Sequence, residues 1–263
     1  MAHGTGSDVF DGHFPAWRAW RQTPWGRVRY RVVEETLRRT CAAVRVGPLR
    51  VLDVGGGDGA DALTLVQAGH HVTIIDFSVP LLQAASEDAA ARGVAQRLRT
   101  VSANLDDLPS LGLGSFDVVL CHNVVQYRDS TVSTVRLLAD AVGAGGALSL
   151  IAPNPASEVL AAIIRREDLR GAAELLSAEQ IRSETFERDV RRVTPEEAES
   201  TLRVCGFTDL IRFGIRTITD YIANDALKYE QDFYRGLEQL ELTLCDREPF
   251  IRTARMWQLV GRR

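Results

Sequence analysis

The chain has 263 residues, 45% hydrophobic and 25% charged, with a formal net charge of −4. This suits one α/β domain with elaborations and excludes a globally basic nucleic-acid binder, while leaving room for a local basic face. Four widely spaced cysteines without a CxxC pair exclude a zinc or disulfide framework. No apolar run approaches a membrane span, so a cytoplasmic protein with no metal and no membrane association is expected.

Residues 1–8 (MAHGTGSD) read as flexible. An aromatic, arginine-rich stretch follows, in which Trp17 and Trp20 share a helix face, and then a helix over 26–44 with Val28, Val32, Leu37 and Cys41 inward. Strands over 49–54, 71–77, 98–103, 116–121 and 147–152 alternate with helices after the glycine loop and over 79–91 and 131–142. Such alternation predicts a doubly wound, mostly parallel sheet. Segment 155–193 breaks the rhythm with mixed charge, helical propensity and no clear strand. Thr194-Pro195-Glu196-Glu197 then has helix-start grammar, and Gly206 suits the end of that helix. Two last strands, over 207–218 and 256–260, bracket a helix carrying Phe233, Leu237, Leu240 and Leu244 as core or dimer surface. The expected organisation is a helical N-terminal lid over 1–44 and a cofactor domain over 45–263, with cap insertions at about 155–193 and 219–255.

The chemistry concentrates at VLDVGGGDGA, where a side-chain-free turn joins a buried strand to a helix. Glycine admits close backbone approach, and the free N–H groups favour an anionic group. Gly55, Gly57 and Ala60 also match the dinucleotide fingerprint, and Asp76, about twenty residues on, suits a ribose diol in either case. Other residues discriminate. Asp53, inside an apolar strand, gains nothing beside a pyrophosphate but suits a ligand carrying an ammonium and a sulfonium. Asn104 ends a strand where an amide reaches an adenine edge, and His122 with Asn123 ends another facing the ligand crevice.

Taken together, VLDVGGGDG, Asp76, SANLDDLP, FDVVLCHN and the Gly145-Gly146 strand resemble the class I S-adenosylmethionine (SAM)-dependent methyltransferases over roughly residues 45–155 and the final strands. The resemblance implies a Rossmann-like doubly wound sheet with an antiparallel final strand and helical cap insertions. It implies SAM as cofactor, with S-adenosylhomocysteine (SAH) as product. Gly55, Gly57 and His122 would lie on the methionine side, Asp76 at the ribose and Asn104 with Leu105 at the adenine, with Asp53 and Phe77 completing the set.

The flanks carry a second resemblance. FDGHF, TPWGRVR, GIRTITDYI, LELTLCDREPFI and Arg255 are similar to the tRNA 5-carboxymethoxyuridine methyltransferase family, which esterifies a carboxylate on a wobble uridine. It implies a cofactor-carboxylate role for Arg29 and an acceptor-side, catalytic role for Arg216, Tyr221 and Arg255. A carboxylate is already a nucleophile, so such an enzyme needs positioning and desolvation rather than a general base. Residues 156–195 hold seven arginines against eight acids, which is no electrostatic track for phosphates. The expected acceptor is therefore a small carboxylic acid, a specialised metabolite or nucleoside-like molecule, with wobble tRNA as the alternative. Two other readings stand: methylation of nitrogen or hydroxyl with His122 or Asp220 as base, and a non-methylating cyclase or binding protein on the same fold. Monomer and homodimer are both compatible with the sequence.

Overall fold

The computed structural model describes residues 6–183 and 188–263. The chain opens with helices α1 (Gly6–Arg21) and α2 (Pro24–Val44), then runs β1 (Arg50–Val54), α3 (Ala62–Gln67), β2 (His71–Asp76), α4 (Val79–Ala91) and β3 (Leu98–Ser102). It continues through β4 (Phe116–His122), α5 (Thr131–Asp140) and β5 (Val142–Pro153). A first insertion holds α6 (Pro155–Arg166), α7 (Leu169–Leu175), β6 (Gln180–Ser183) and β7 (Arg188–Arg191). Then come α8 (Pro195–Val204), β8 (Asp209–Ile215), α9 (Gln231–Leu244) and β9 (Met256–Arg262).

Seven strands form one sheet in the order β3-β2-β1-β4-β5-β9-β8. Strand β9 pairs antiparallel with both neighbours, while β1 to β5 pair in parallel. This is the class I methyltransferase Rossmann-like fold. Strand order reverses between β1 and β4, so the ligand crevice opens at their carboxyl ends. Because strand side chains alternate, the sheet has two apolar faces. Val51, Ile74 and Leu120 meet α2 on one, and Leu52, Ile75 and Val119 meet α5 and α8 on the other.

Helix α2 starts as its sequence dictates: Pro24 needs no N–H partner at the first position, and the Thr23 side chain accepts from the Gly26 amide at 3.2 Å. Its Val28, Val32, Val33 and Leu37 are fully buried, so α2 belongs to the core. Helix α8 begins on Thr194, whose hydroxyl accepts from Glu197, and ends before Gly206 at φ +87°.

Two expectations change, and the faces of α9 become distinct. Residues 6–8, read as flexible, are the start of α1, while residues 1–5 lie outside the described residues. Segment 155–193 does contain strand, the β6–β7 hairpin. Arg192 staples it by pairing with Glu158 at 2.8 Å and donating to Ala178 O and Pro155 O, each at 2.9 Å. In α9, Tyr234, Leu237, Glu241 and Leu244 point inward and Leu240 outward. Among the described residues no helix is long and apolar enough to cross a membrane, and no group of three or more His, Cys, Asp or Glu gathers to hold a metal.

Candidate active site

At the carboxyl ends of β1, β2 and β4 lies a cavity of about 320 Å³, within the range of small-molecule sites. The glycine loop forms its floor because side chains do not fit there. Gly55 (φ +70°) would place a Cβ 2.5 Å from Val124 Cγ2, and a Cβ on Gly56 would sit 2.5 Å from Asp53 Oδ2. Asp76 lies across from the loop, its two oxygens accepting from Gly57 N and Ser78 N at 2.9 Å each. Asn123 turns the chain past β4 in the left-handed region (φ +59°), which asparagine tolerates better than most residues.

Behind the loop runs a buried polar chain. Arg29 on α2 forks onto both oxygens of Asp61, at 2.8 Å through Nη2. Asp61 also meets His122 Nδ1 at 2.8 Å, and His122 Nε2 meets Ser149 Oγ at 2.9 Å. Gln258 Nε2 donates to Ser149 Oγ at 3.0 Å, and Thr36 Oγ1 donates to Gln258 Oε1 at 2.7 Å. Because ionised Asp61 can only accept, His122 Nδ1–H points at Asp61, and Nε2 then accepts from the Ser149 hydroxyl.

The charges follow from burial and pairing. Burial drives His122 below its ordinary pKa against the pull of Asp61, so the ring is neutral. Burial alone would raise Asp61, but Arg29 and His122 outweigh it and hold the carboxyl below the usual range. Asp53 goes the other way: burial, then the neighbouring Asp61 and Asp76, push it well above the usual range, with only Arg29 opposing. Tyr30, which also lines the cavity, is pushed up to about 12 by burial.

All nine positions expected to touch the cofactor line this cavity: Arg29, Asp53, Gly55, Gly57, Asp76, Phe77, Asn104, Leu105 and His122. Arg29 is the exception in detail, since Asp61 takes both terminal nitrogens and leaves its buried Nε without a partner. Sequence reasoning missed Asp61, Tyr30, Tyr127 and Arg128, which also line the cavity. For Asp61 a signal existed, a third acid after Asp53 and Asp58 immediately ahead of a helix.

Arg216, Tyr221 and Arg255 come together but do not line the cavity. Arg216 sits at φ +60°, with its guanidinium taken bidentately by Asp220. The Tyr221 hydroxyl donates to Thr253 O. Arg255 N donates to Arg216 O at 3.1 Å, while the Arg255 guanidinium has no hydrogen-bond or ion-pair partner among the described residues. The connecting turn is anchored by fully buried Glu241, which accepts from the amides of Thr217, Ile218 and Thr219 and from two threonine hydroxyls. Register locates the group: His122 pairs Ile151, which pairs Gln258, so Arg255 lies three residues beyond that row on the crevice side.

The cavity fits SAM on its own terms. Its loop admits only backbone at the closest points, and a buried carboxylate with raised pKa, Asp53, awaits positive charge. The fold and this site resemble those of the class I SAM-dependent methyltransferases. Residues 51–146 match the methyltransferase domain family. Nearly the whole chain is similar to the tRNA 5-carboxymethoxyuridine methyltransferase of Escherichia coli (strain K12), 27% identical over 243 residues, covering 92% of this chain and 90% of that protein. Among solved structures, a SAM-dependent methyltransferase from Thermotoga maritima superposes with a TM-score of 0.62 at 12% identity, over 97% of this chain and 98% of the other. Magnesium protoporphyrin IX methyltransferase from Synechocystis PCC 6803, with bound SAH, gives 0.61 at 15% identity, over 98% and 97%.

Proposed function

We propose that the chain O-methylates a carboxylate, and that the acceptor is 5-carboxymethoxyuridine in tRNA. The observation that carries the reading is the Arg255 guanidinium, unpaired at the crevice edge beside an arginine already neutralised by Asp220. An arginine in that state suits an anionic acceptor. The candidate bases support the same chemistry, for both nitrogens of His122 are engaged, Asp220 is held by Arg216, and Tyr30 keeps its proton at neutral pH. Such a site favours an acceptor that arrives ionised. The tRNA assignment rests on similarity that spans 243 residues, well beyond the methyltransferase domain at 51–146.

Bound SAM supplies an electrophilic methyl group on its sulfonium. Gly55 and Gly57 would line its methionine part with backbone, Asp76 would take the ribose hydroxyls, and Asn104 with Leu105 would flank the adenine. Asp53 would face its positive charge, and the Arg29 Nε would be left for its carboxylate. Arg255 would orient the acceptor, with Arg216 and Tyr221 bracing it rather than gripping both acceptor oxygens.

A second reading, a small carboxylic acid as acceptor, is favoured by one observation. Four arginines of the first insertion are paired within the chain: Arg165 with Asp225, Arg170 with Glu174, Arg191 with Glu197 and Arg192 with Glu158. Two measurements test these readings. Radiolabelled methyl transfer should give a base-labile ester, and Arg255→Ala should lower kcat/KM by roughly 10- to 150-fold, the worth of a hydrogen bond to a charged group, with SAM affinity unchanged. A base-stable product, or full activity in the variant, defeats carboxylate methylation. Absence of salt-dependent tRNA binding at low ionic strength removes tRNA and leaves the small acid.

A further inference from the structure

The cofactor cavity and the Arg216–Tyr221–Arg255 group share no lining residue, yet a methyltransferase must bring donor and acceptor together. Helix α1 joins them. Trp17 lines the cavity and stacks on Trp20, with ring centroids 4.7 Å apart and planes 12° apart. The Arg216 guanidinium carbon lies 5.8 Å from the Trp20 ring centroid. Cavity, Trp17, Trp20 and Arg216 thus form a continuous row, and both indoles remain only partly buried.

Helix α1 is tied to the cofactor loop by charge. Arg21 pairs with Asp58 of the glycine loop at 2.6 Å in a nearly closed environment, and Arg18 reaches Asp88 at 3.4 Å. The first contact holds the indole pair in fixed relation to the methyl-donor cavity. A partly open aromatic stack between a donor cavity and an unpaired arginine suits a flat ring with an anionic arm, since every planar base has a π-face to offer an indole.

We propose that the Trp17–Trp20 stack is the specificity-determining surface for the acceptor, receiving a planar pyrimidine-type ring while the carboxylate arm lies between the cavity and Arg255. This rests on the carboxylate reading above and adds the ring requirement to it. Trp17 and Trp20 recognise the acceptor, and the tie between Arg21 and Asp58 is the positioning contact that aligns them.

The test uses the full-length protein with SAH bound and two matched pairs of carboxylates, one member planar and one saturated: orotate with dihydroorotate, and benzoate with cyclohexanecarboxylate. Binding of each is measured to the wild type, Trp17→Phe and Trp17→Ala. The wild type should prefer the planar members, Trp17→Phe should keep most of the preference, and Trp17→Ala should abolish it. With an anticodon stem-loop bearing 5-carboxymethoxyuridine as substrate, Trp17→Ala should raise acceptor KM roughly 5- to 150-fold. That range corresponds to about 1–3 kcal/mol of stacking at about 1.4 kcal/mol per decade. Equal binding of planar and saturated members, or no binding of any, overturns the platform. A wild type that prefers planar carboxylates yet never methylates the stem-loop overturns the tRNA reading alone.

Discussion

Asp61→Ala probes the buried chain behind the glycine loop most sharply. The substitution removes a carboxylate that accepts a fork from Arg29 and a hydrogen bond from His122, whose side chains are 3% and 4% exposed. Arginine cannot shed its proton to escape burial, so Arg29 is left as an uncompensated charge with Nε already lacking a partner. Removing one partner of a buried pair costs about 3–5 kcal/mol. At about 2–4 °C per kcal/mol for a chain approaching this size, Tm should fall by roughly 6–20 °C. Differential scanning calorimetry on the wild type and Asp61→Ala reads the shift, and a cycle of Asp61→Leu, Arg29→Met and the double variant isolates the pair. Each single change should be costly, and the double variant should recover part of the loss, with a coupling of about 1–3 kcal/mol. A Tm for Asp61→Ala within about 2 °C of wild type, together with coupling below about 0.5 kcal/mol, would refute the claim that this buried pair is costly to break.

Two further outcomes follow from the same geometry. Gly55→Ala forces a side chain into the left-handed region and onto Val124, so stability should drop by about 1–3 kcal/mol and SAM affinity at least tenfold; calorimetric titration showing wild-type affinity would contradict the close-approach argument. His122 has a folded pKa depressed by burial, so its contribution to stability is complete above the unfolded value of about 6.5 and is lost as pH falls through the folded value. Denaturant titrations from pH 8 to 5 should show an acid-side loss that His122→Asn reduces, and identical pH slopes in the two proteins would count against a neutral buried ring.

How far the sequence reaches can be judged from particular residues. The cofactor side was legible because its signals are local: three consecutive glycines between a strand and a helix, and acids or amides at strand ends. The Arg216–Tyr221–Arg255 group was legible only as residue types. Arg216 and Arg255 are indistinguishable in sequence, but Asp220 engages one and leaves the other unpaired. Arg191 and Arg192 are adjacent and alike in sequence, whereas only Arg192 is the buried staple of the first insertion.

By itself, then, the sequence determined the sheet, the capped helices and the cofactor loop, because 2.0- and 3.6-residue periodicities and glycine's conformational freedom act within a few residues of chain. Only the tertiary structure decided which charges are satisfied. The row from Arg29 through Asp61, His122, Ser149 and Gln258 to Thr36 joins residues up to 222 positions apart, and whether an arginine binds a substrate or a neighbour depends on what packing brings within hydrogen-bond reach.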